Sequence, residues 1–301
     1  MKTLKEVVCM AFIFFSILNA QTSVQVRKPA VADMFYPGNP TELTSMIKKF
    51  LSETKIVVKG EIGGLVSPHA GYVYSGPVAA WSYRQIEGKT FDVVVVVAPS
   101  HYEYFPGASV YPGDFYATPL GKIPVSKNLT QELTNLSTKI YFSEKGHRVR
   151  SLDRSEHSLE VQLPFLQYVL GDFQLIPIVM ADQSWENVHE LANALATLLK
   201  NKKALIVASS DLSHYHAYDT AYKMDKSLQN LFETGNFKAL IEGCESRKIE
   251  ACGYGPIATM MYACSLLGYK KTKVLKYATS GDVPAGNTMQ VVGYMSGVAY
   301  R

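Results

Sequence analysis

Apolar residues recur along this chain in two periods. Leu43, Met46, Ile47 and Phe50 fall at helical spacing, which predicts an amphipathic helix over Thr41 to Leu51. Gly63-Gly64-Leu65-Val66 reads as a short buried strand, and Pro77 to Gln85 as a second helix. Asp92 to Ala98 runs almost entirely through valine. A strand apolar on both faces belongs in the middle of a sheet covered on both sides. Phe173 to Val179 and Ala204 to Ala208 repeat that pattern, with a helical stretch, Trp185 to Leu199, between them. Near the end, Val274 to Thr279 and Gln290 to Val298 are strand-like around the turn-rich Ser280-Gly281-Asp282-Val283-Pro284. Strands alternating with helices, without a repeat or a long linker, predict an α/β fold: one layered domain around a mostly parallel or mixed central sheet.

The first twenty residues differ from the rest. Lys2 and Lys5 precede an uncharged apolar run from Val7 to Leu18, and Asn19-Ala20 leads into the polar Gln21-Thr22-Ser23. This predicts a signal peptide over residues 1–20 and an exported domain over 21–301, periplasmic or extracellular. The apolar run is short for a bilayer span of about 20 residues. Removing Cys9 with the leader leaves Cys244, Cys252 and Cys264, an odd number for an oxidising compartment, so at least one thiol is expected to be unpaired. Cys264 lies in the apolar run Met260-Met261-Tyr262-Ala263-Cys264 and reads as core. The composition, 47% hydrophobic and 19% charged over 301 residues, excludes bulk disorder. A formal charge of +4 without a clustered basic stripe argues against nucleic acid as a partner.

The chemistry gathers where predicted strands stop. His69 follows Leu65-Val66-Ser67-Pro68, His101 follows Val97-Ala98-Pro99-Ser100, and Asp211 and His214 follow Ile206 to Ser210. In open α/β sheets the pocket lies outside the carboxyl ends of the strands, and imidazole is the commonest transition-metal ligand. Three independent strand ends therefore suggest one shared metal site. Taken singly, each histidine reads first as a loop cap or a satisfied hydrogen bond, and Asp211 and His214 as the cap and first turn of a following helix. Cys252, in Ala251-Cys252-Gly253-Tyr254-Gly255-Pro256, sits at the start of a helix continuing to Leu267. It reads either as an easily ionised thiol or as a small buried residue in a tight glycine turn. Glu156 and Glu160, in the polar stretch Asp153 to Pro164, are mildly repulsive neighbours at the start of a helix and read by default as a solvated face. The functional alternative puts Glu156 or His157 beside a metal-bound imidazole, orienting it. His147, His189 and His216 read as surface residues.

Pro68-His69-Ala70-Gly71-Tyr72-Val73-Tyr74-Ser75-Gly76, Pro99-Ser100-His101, Glu156 to Pro164, Ser209-Ser210-Asp211-Leu212-Ser213-His214 and Cys252-Gly253 with Pro256 together resemble the Memo (mediator of cell motility) family. Its bacterial and archaeal members are called AmmeMemoRadiSam system protein B. The stretch Arg27 to Gly38 is similar to the family's opening motif, and the resemblance extends from about Val26 to the C-terminus. It implies a fold like that of class III extradiol dioxygenases, which open catechol rings with non-haem iron held by two histidines and a carboxylate. It also implies a different ligand set here, His69, His101 and Cys252, for an iron or copper ion. His214 takes the place of those enzymes' acid/base histidine, with Asp211 setting its tautomer. Functional association with AMMECR-type and radical SAM proteins follows from the family name, although family members are generally cytosolic and this chain is expected to carry an export signal. Two functions remain open: a metal-dependent redox or dioxygenase-like enzyme, and a module that binds a metal, a peptide or a small molecule without turnover.

Overall fold

The computed structural model describes residues 23–149, 155–284 and 286–301. The predicted signal peptide, with Cys9, and the positions Asp153 and Arg154 lie outside these residues. The strands are β1 (Val26–Arg27), β2 (Ile62–Ser67), β3 (Val93–Pro99), β4 (Ala108–Val110), β5 (Phe115–Thr118), β6 (Gly121–Pro124), β7 (Ile140–Phe142), β8 (Leu175–Met180), β9 (Ala204–Ser209), β10 (His214–His216), β11 (Lys271–Thr279) and β12 (Val291–Tyr300). The helices are α1 (Pro40–Ser52), α2 (Tyr72–Arg84), α3 (Lys127–Leu136), α4 (Leu163–Leu170), α5 (Trp185–Leu199), α6 (Tyr218–Glu233), α7 (Phe237–Glu245) and α8 (Tyr254–Leu266).

Nine strands form a mixed central sheet in the order β10-β12-β2-β9-β3-β8-β4-β7, with β11 added along β12, and β1-β5-β6 form a small separate sheet. The central four, β2, β9, β3 and β8, are parallel, so Ser67, Ser209, Pro99 and Met180 all end at one edge. Side chains alternate across the sheet with the strand period of two. Val93, Val95 and Val97 pack with Leu191 and Leu195 of α5 and with Ile257 and Met260 of α8. Val94, Val96 and Ala98 pack with Ile47 of α1, Tyr83 of α2 and Phe165 of α4. Both faces of β3 are thus dry, as its unbroken apolar run requires, and the chain forms one layered α/β domain. Cys264 is fully buried, in keeping with the core reading. Helix α8 lies so close on β2 that a Cβ at Gly64 would stand 2.4 Å from the Met260 sulfur and 2.8 Å from that of Cys264. The outermost strand β11 exposes Lys271, Lys273 and Lys276, while β7 closes the far edge with three residues.

Helix α5 occupies the predicted range, α1, β2 and β3 differ from theirs by one residue at each end, and β9 by one at its carboxyl end. Helix α2 differs more, beginning at Tyr72 with Pro77 inside it. Its ring removes one i to i−4 bond, to the carbonyl of Val73, a residue at the solvent surface. The polar run before Pro164 does not form a solvated helix face. Glu156 lies in a loop, Glu160 begins a 3-10 turn, and both are buried.

Candidate functional site

The parallel strands deliver three of the predicted residues to one edge of the sheet. His69 stands two residues beyond β2, His101 two beyond β3, and Asp211 two beyond β9. Cys252 joins them from the turn before α8 and places its sulfur 3.2 Å from His69 Nε2. The ring centroids of His69 and His101 are 5.2 Å apart.

Hydrogen bonds behind the rings decide which nitrogens face this group. The hydroxyl of Ser209 donates to the Ser158 carbonyl at 2.5 Å, so its lone pairs are left to accept from Gln162 Nε2 at 2.7 Å and from His69 Nδ1 at 2.8 Å. His69 Nδ1 therefore carries hydrogen, and Nε2 is the nitrogen that faces Cys252. His101 Nδ1 donates to Glu156 Oε1 at 2.9 Å, and its backbone N–H donates to the other carboxylate oxygen at 2.5 Å. An acceptor behind a ring is the arrangement that orients metal-binding imidazoles. Burial disfavours charge on His101, but Cys252 and Glu156 raise its pKa to about 11. Burial likewise raises the Cys252 thiol, and the neighbouring His69 and His101 outweigh it, bringing the pKa down to about 6.

The turn holding Cys252 is tightly clamped. Asp211 N–H donates to Cys252 Sγ at 3.2 Å, and Cys252 N–H returns a bond to the Asp211 carbonyl at 3.2 Å. Gln183, from the loop after β8, donates to the Cys252 carbonyl and accepts from Gly255 N–H. A Cβ at Gly253 would stand 2.3 Å from the Ser209 carbonyl oxygen, so only glycine permits this approach. Cys252 and His214 line a common cavity of about 230 Å³, together with Leu212, Cys244, Glu250 and Tyr254. A larger cleft of about 1210 Å³ opens at the opposite, amino ends of the strands beside Ile62, Phe91 and Ala204, and contains none of the predicted site residues.

Several expectations change. Asp211 accepts from the His69 backbone N–H at 2.8 Å and fixes the main chain there, while burial pushes its pKa up to about 6. The bond to His214 Nδ1 is made by the Leu212 carbonyl at 2.8 Å, so that carbonyl sets the tautomer expected of Asp211. His147 is fully buried, with Nε2 donating to the Ser109 carbonyl and Nδ1 accepting from the Tyr116 hydroxyl, because the loop after β7 folds over β4 and β5. His216 is half-buried against Glu250 at 2.9 Å, whereas His189 is exposed as expected. Glu156, one of the two candidates for orienting an imidazole, is the residue hydrogen-bonded to His101. His157 instead brings its own ring against the cluster, stacked on His101 at 4.9 Å and edge-on to His69 at 5.5 Å. One potential ligand nitrogen from each of His69, His101 and His157 lies within 4.8 Å of the others.

Ser209, Gln162 and Gln183 escape the sequence reading. So do the partners of Glu160: Arg27, Tyr36 and the backbone N–H groups of Ala30 and Val31, which converge on its buried carboxylate. The only sequence signal for that convergence is the resemblance of Arg27 to Gly38 to an opening motif.

The Memo-like protein family matches residues 27–298. The chain belongs to the Memo-like family. A MEMO1 family protein of Nitrosopumilus maritimus is 38% identical to this Memo-like chain over 89% of its length and 98% of the relative's. MEMO1 family proteins of Thermotoga maritima and Methanocaldococcus jannaschii are 38% and 36% identical, each over 91% of this chain and 99% of the relative. Among solved structures, uncharacterized protein JW3007 from Escherichia coli K12 shares the Memo-like chain's fold, with a TM-score of 0.51 at 15% identity, over 78% of this chain and 99% of that one. No helix among the described residues is long and apolar enough to cross a membrane.

Proposed function

We propose that this Memo-like protein binds an iron or copper ion through His69, His101 and Cys252 and carries out redox chemistry at the carboxyl edge of its sheet. One observation carries the reading. His69 Nε2, freed by the Ser209 hydroxyl behind the ring, meets the Cys252 sulfur at 3.2 Å, with His101 turned by Glu156 beside them. Two imidazoles and a thiolate suit iron and the softer copper ion, and such an ion supplies electron transfer and dioxygen activation when bound. The chain's own contribution is to hold the donors, with Gln183 and Gly253 fixing the cysteine turn. His214 presents Nε2 as an acid/base nitrogen because the Leu212 carbonyl accepts from Nδ1. The resemblance to extradiol dioxygenases favours phenolic or similarly small substrates, and association with AMMECR-type or radical SAM proteins follows from the family name. The apolar leader supports export, which N-terminal sequencing of the protein recovered outside the cytoplasm checks.

The deciding measurement is metal content after anaerobic purification without chelator, for the parent protein and for His69→Ala, His101→Ala and Cys252→Ala. Stoichiometric iron or copper, lost in the three variants, supports the centre. Oxygen consumption with reductant and candidate phenols then separates an enzyme from a metal-carrying module. A protein that neither retains nor can be loaded with a transition metal refutes the reading.

A further inference from the structure

His157 has a ring without an evident task. Its backbone is held in place: the N–H donates to Glu156 Oε1 at 2.9 Å, and the carbonyl accepts from Val161 N–H at 3.0 Å. The ring packs on Phe35 with centroids 4.4 Å apart. Its side chain is only 14% exposed, yet among the described residues neither ring nitrogen makes a hydrogen bond, and the nearest carboxylate oxygen, on Glu156, is 3.8 Å from Nδ1. The contrast with His147 is direct, since that buried ring uses both nitrogens. The His157 ring nitrogens therefore stand at the edge of the cluster with no partner within the described residues, beside the rings of His69 and His101.

We propose that His157 is a third imidazole ligand of the metal centre, acting with His69 and His101, so that the ion is held by three nitrogens with the Cys252 thiolate beside them. The inference rests on the metal-centre reading and changes what that centre selects. Three ligand nitrogens already within 4.8 Å of one another need only side-chain rotation to close around an ion. His101 and His157 lie nearly parallel, at 8°, with side chains 27% and 14% exposed against a fully buried His69 ring. His69 is fixed from behind by Ser209 and forms the immobile corner. An imidazole set binds borderline divalent ions such as zinc, ferrous iron and cobalt without needing sulfur, whereas the thiolate is required chiefly for a soft ion. The dipeptide Glu156-His157 then does two jobs, orienting one ligand and supplying another.

The test uses Co(II) with the full-length protein, because cobalt reports thiolate ligation through a near-ultraviolet charge-transfer band and coordination geometry through its visible bands. Equilibrium dialysis and absorption are compared for the parent, Cys252→Ala and His157→Gln. The expected result is that Cys252→Ala lacks the charge-transfer band and binds cobalt more weakly than the parent, in keeping with its place in the centre. His157→Gln keeps that band but binds at least about tenfold more weakly, with altered visible bands. His157→Phe retains the ring stack on Phe35 and His101 without a donor nitrogen and shows the same weakening, which separates ligation from packing. Should both His157 variants bind cobalt with the parent's affinity and visible spectrum, the proposal is overturned, and a centre of His69, His101 and Cys252 stands by itself. A parent protein that binds no cobalt, iron or copper overturns that underlying reading as well.

Discussion

Glu160 and His147 show how single side chains tie the opening segment to the sheet. The Glu160 carboxylate is fully buried and accepts from Arg27, which is itself buried, and from Tyr36 and two backbone N–H groups. Glu160→Gln leaves the guanidinium in the interior without its counter-charge, and the expected loss is about 3–5 kcal/mol of stability, read from the urea midpoint. Burial pushes the pKa of His147 down to about 3. As pH falls below the ordinary value near 6.5, the unfolded chain takes up this proton and the folded chain does not until about pH 3. The stability associated with the neutral ring is complete above pH 6.5 and is lost between 6.5 and 3. His147→Gln should flatten that section of the curve in urea titrations from pH 7 to 4, and an unchanged slope would show that other groups carry the acid sensitivity.

Among the elements, legibility follows length and periodicity. The valines of β3 and the apolar stripe of α5 each repeat often enough to fix both the type of element and, within a residue, its ends. Strands β4 and β7 have three residues each and no such repeat, and exist because β8 and β4 give them neighbours to pair with. The same division runs through the site. His69, His101 and Asp211 were legible because a strand end announces a pocket edge. Glu156 reaches His101 across 55 positions of sequence through a loop with no period, so the sequence offers it only as one of two candidates for orienting an imidazole and does not say which imidazole. The turn before α8 is the element most sensitive to change. Gly253→Ala forces a methyl group against the Ser209 carbonyl and should displace Cys252, whose alkylation by iodoacetamide would change in rate while far-ultraviolet circular dichroism stays near that of the parent.

At the scale of the molecule, the ends of β2 and β3 and the turn before α8 bring donors together from segments far apart in sequence, so the proposed centre forms only in the folded chain. An ion that binds there and not to the unfolded chain must stabilise the fold, by about 2.7 kcal/mol at a hundredfold excess over the dissociation constant. Thermal melting with and without added metal should show this rise in the parent and not in His69→Ala. The sheet's outer boundary carries a different consequence. Lys271, Lys273 and Lys276 are exposed on β11, which among the described residues pairs only with β12 and so leaves its other side for a second strand to approach. Like charges brought together there would repel a second copy, which makes this edge a barrier against fibril growth. Threonine at all three positions should turn the barrier into a template, seen as concentration-dependent thioflavin fluorescence that the parent protein does not develop.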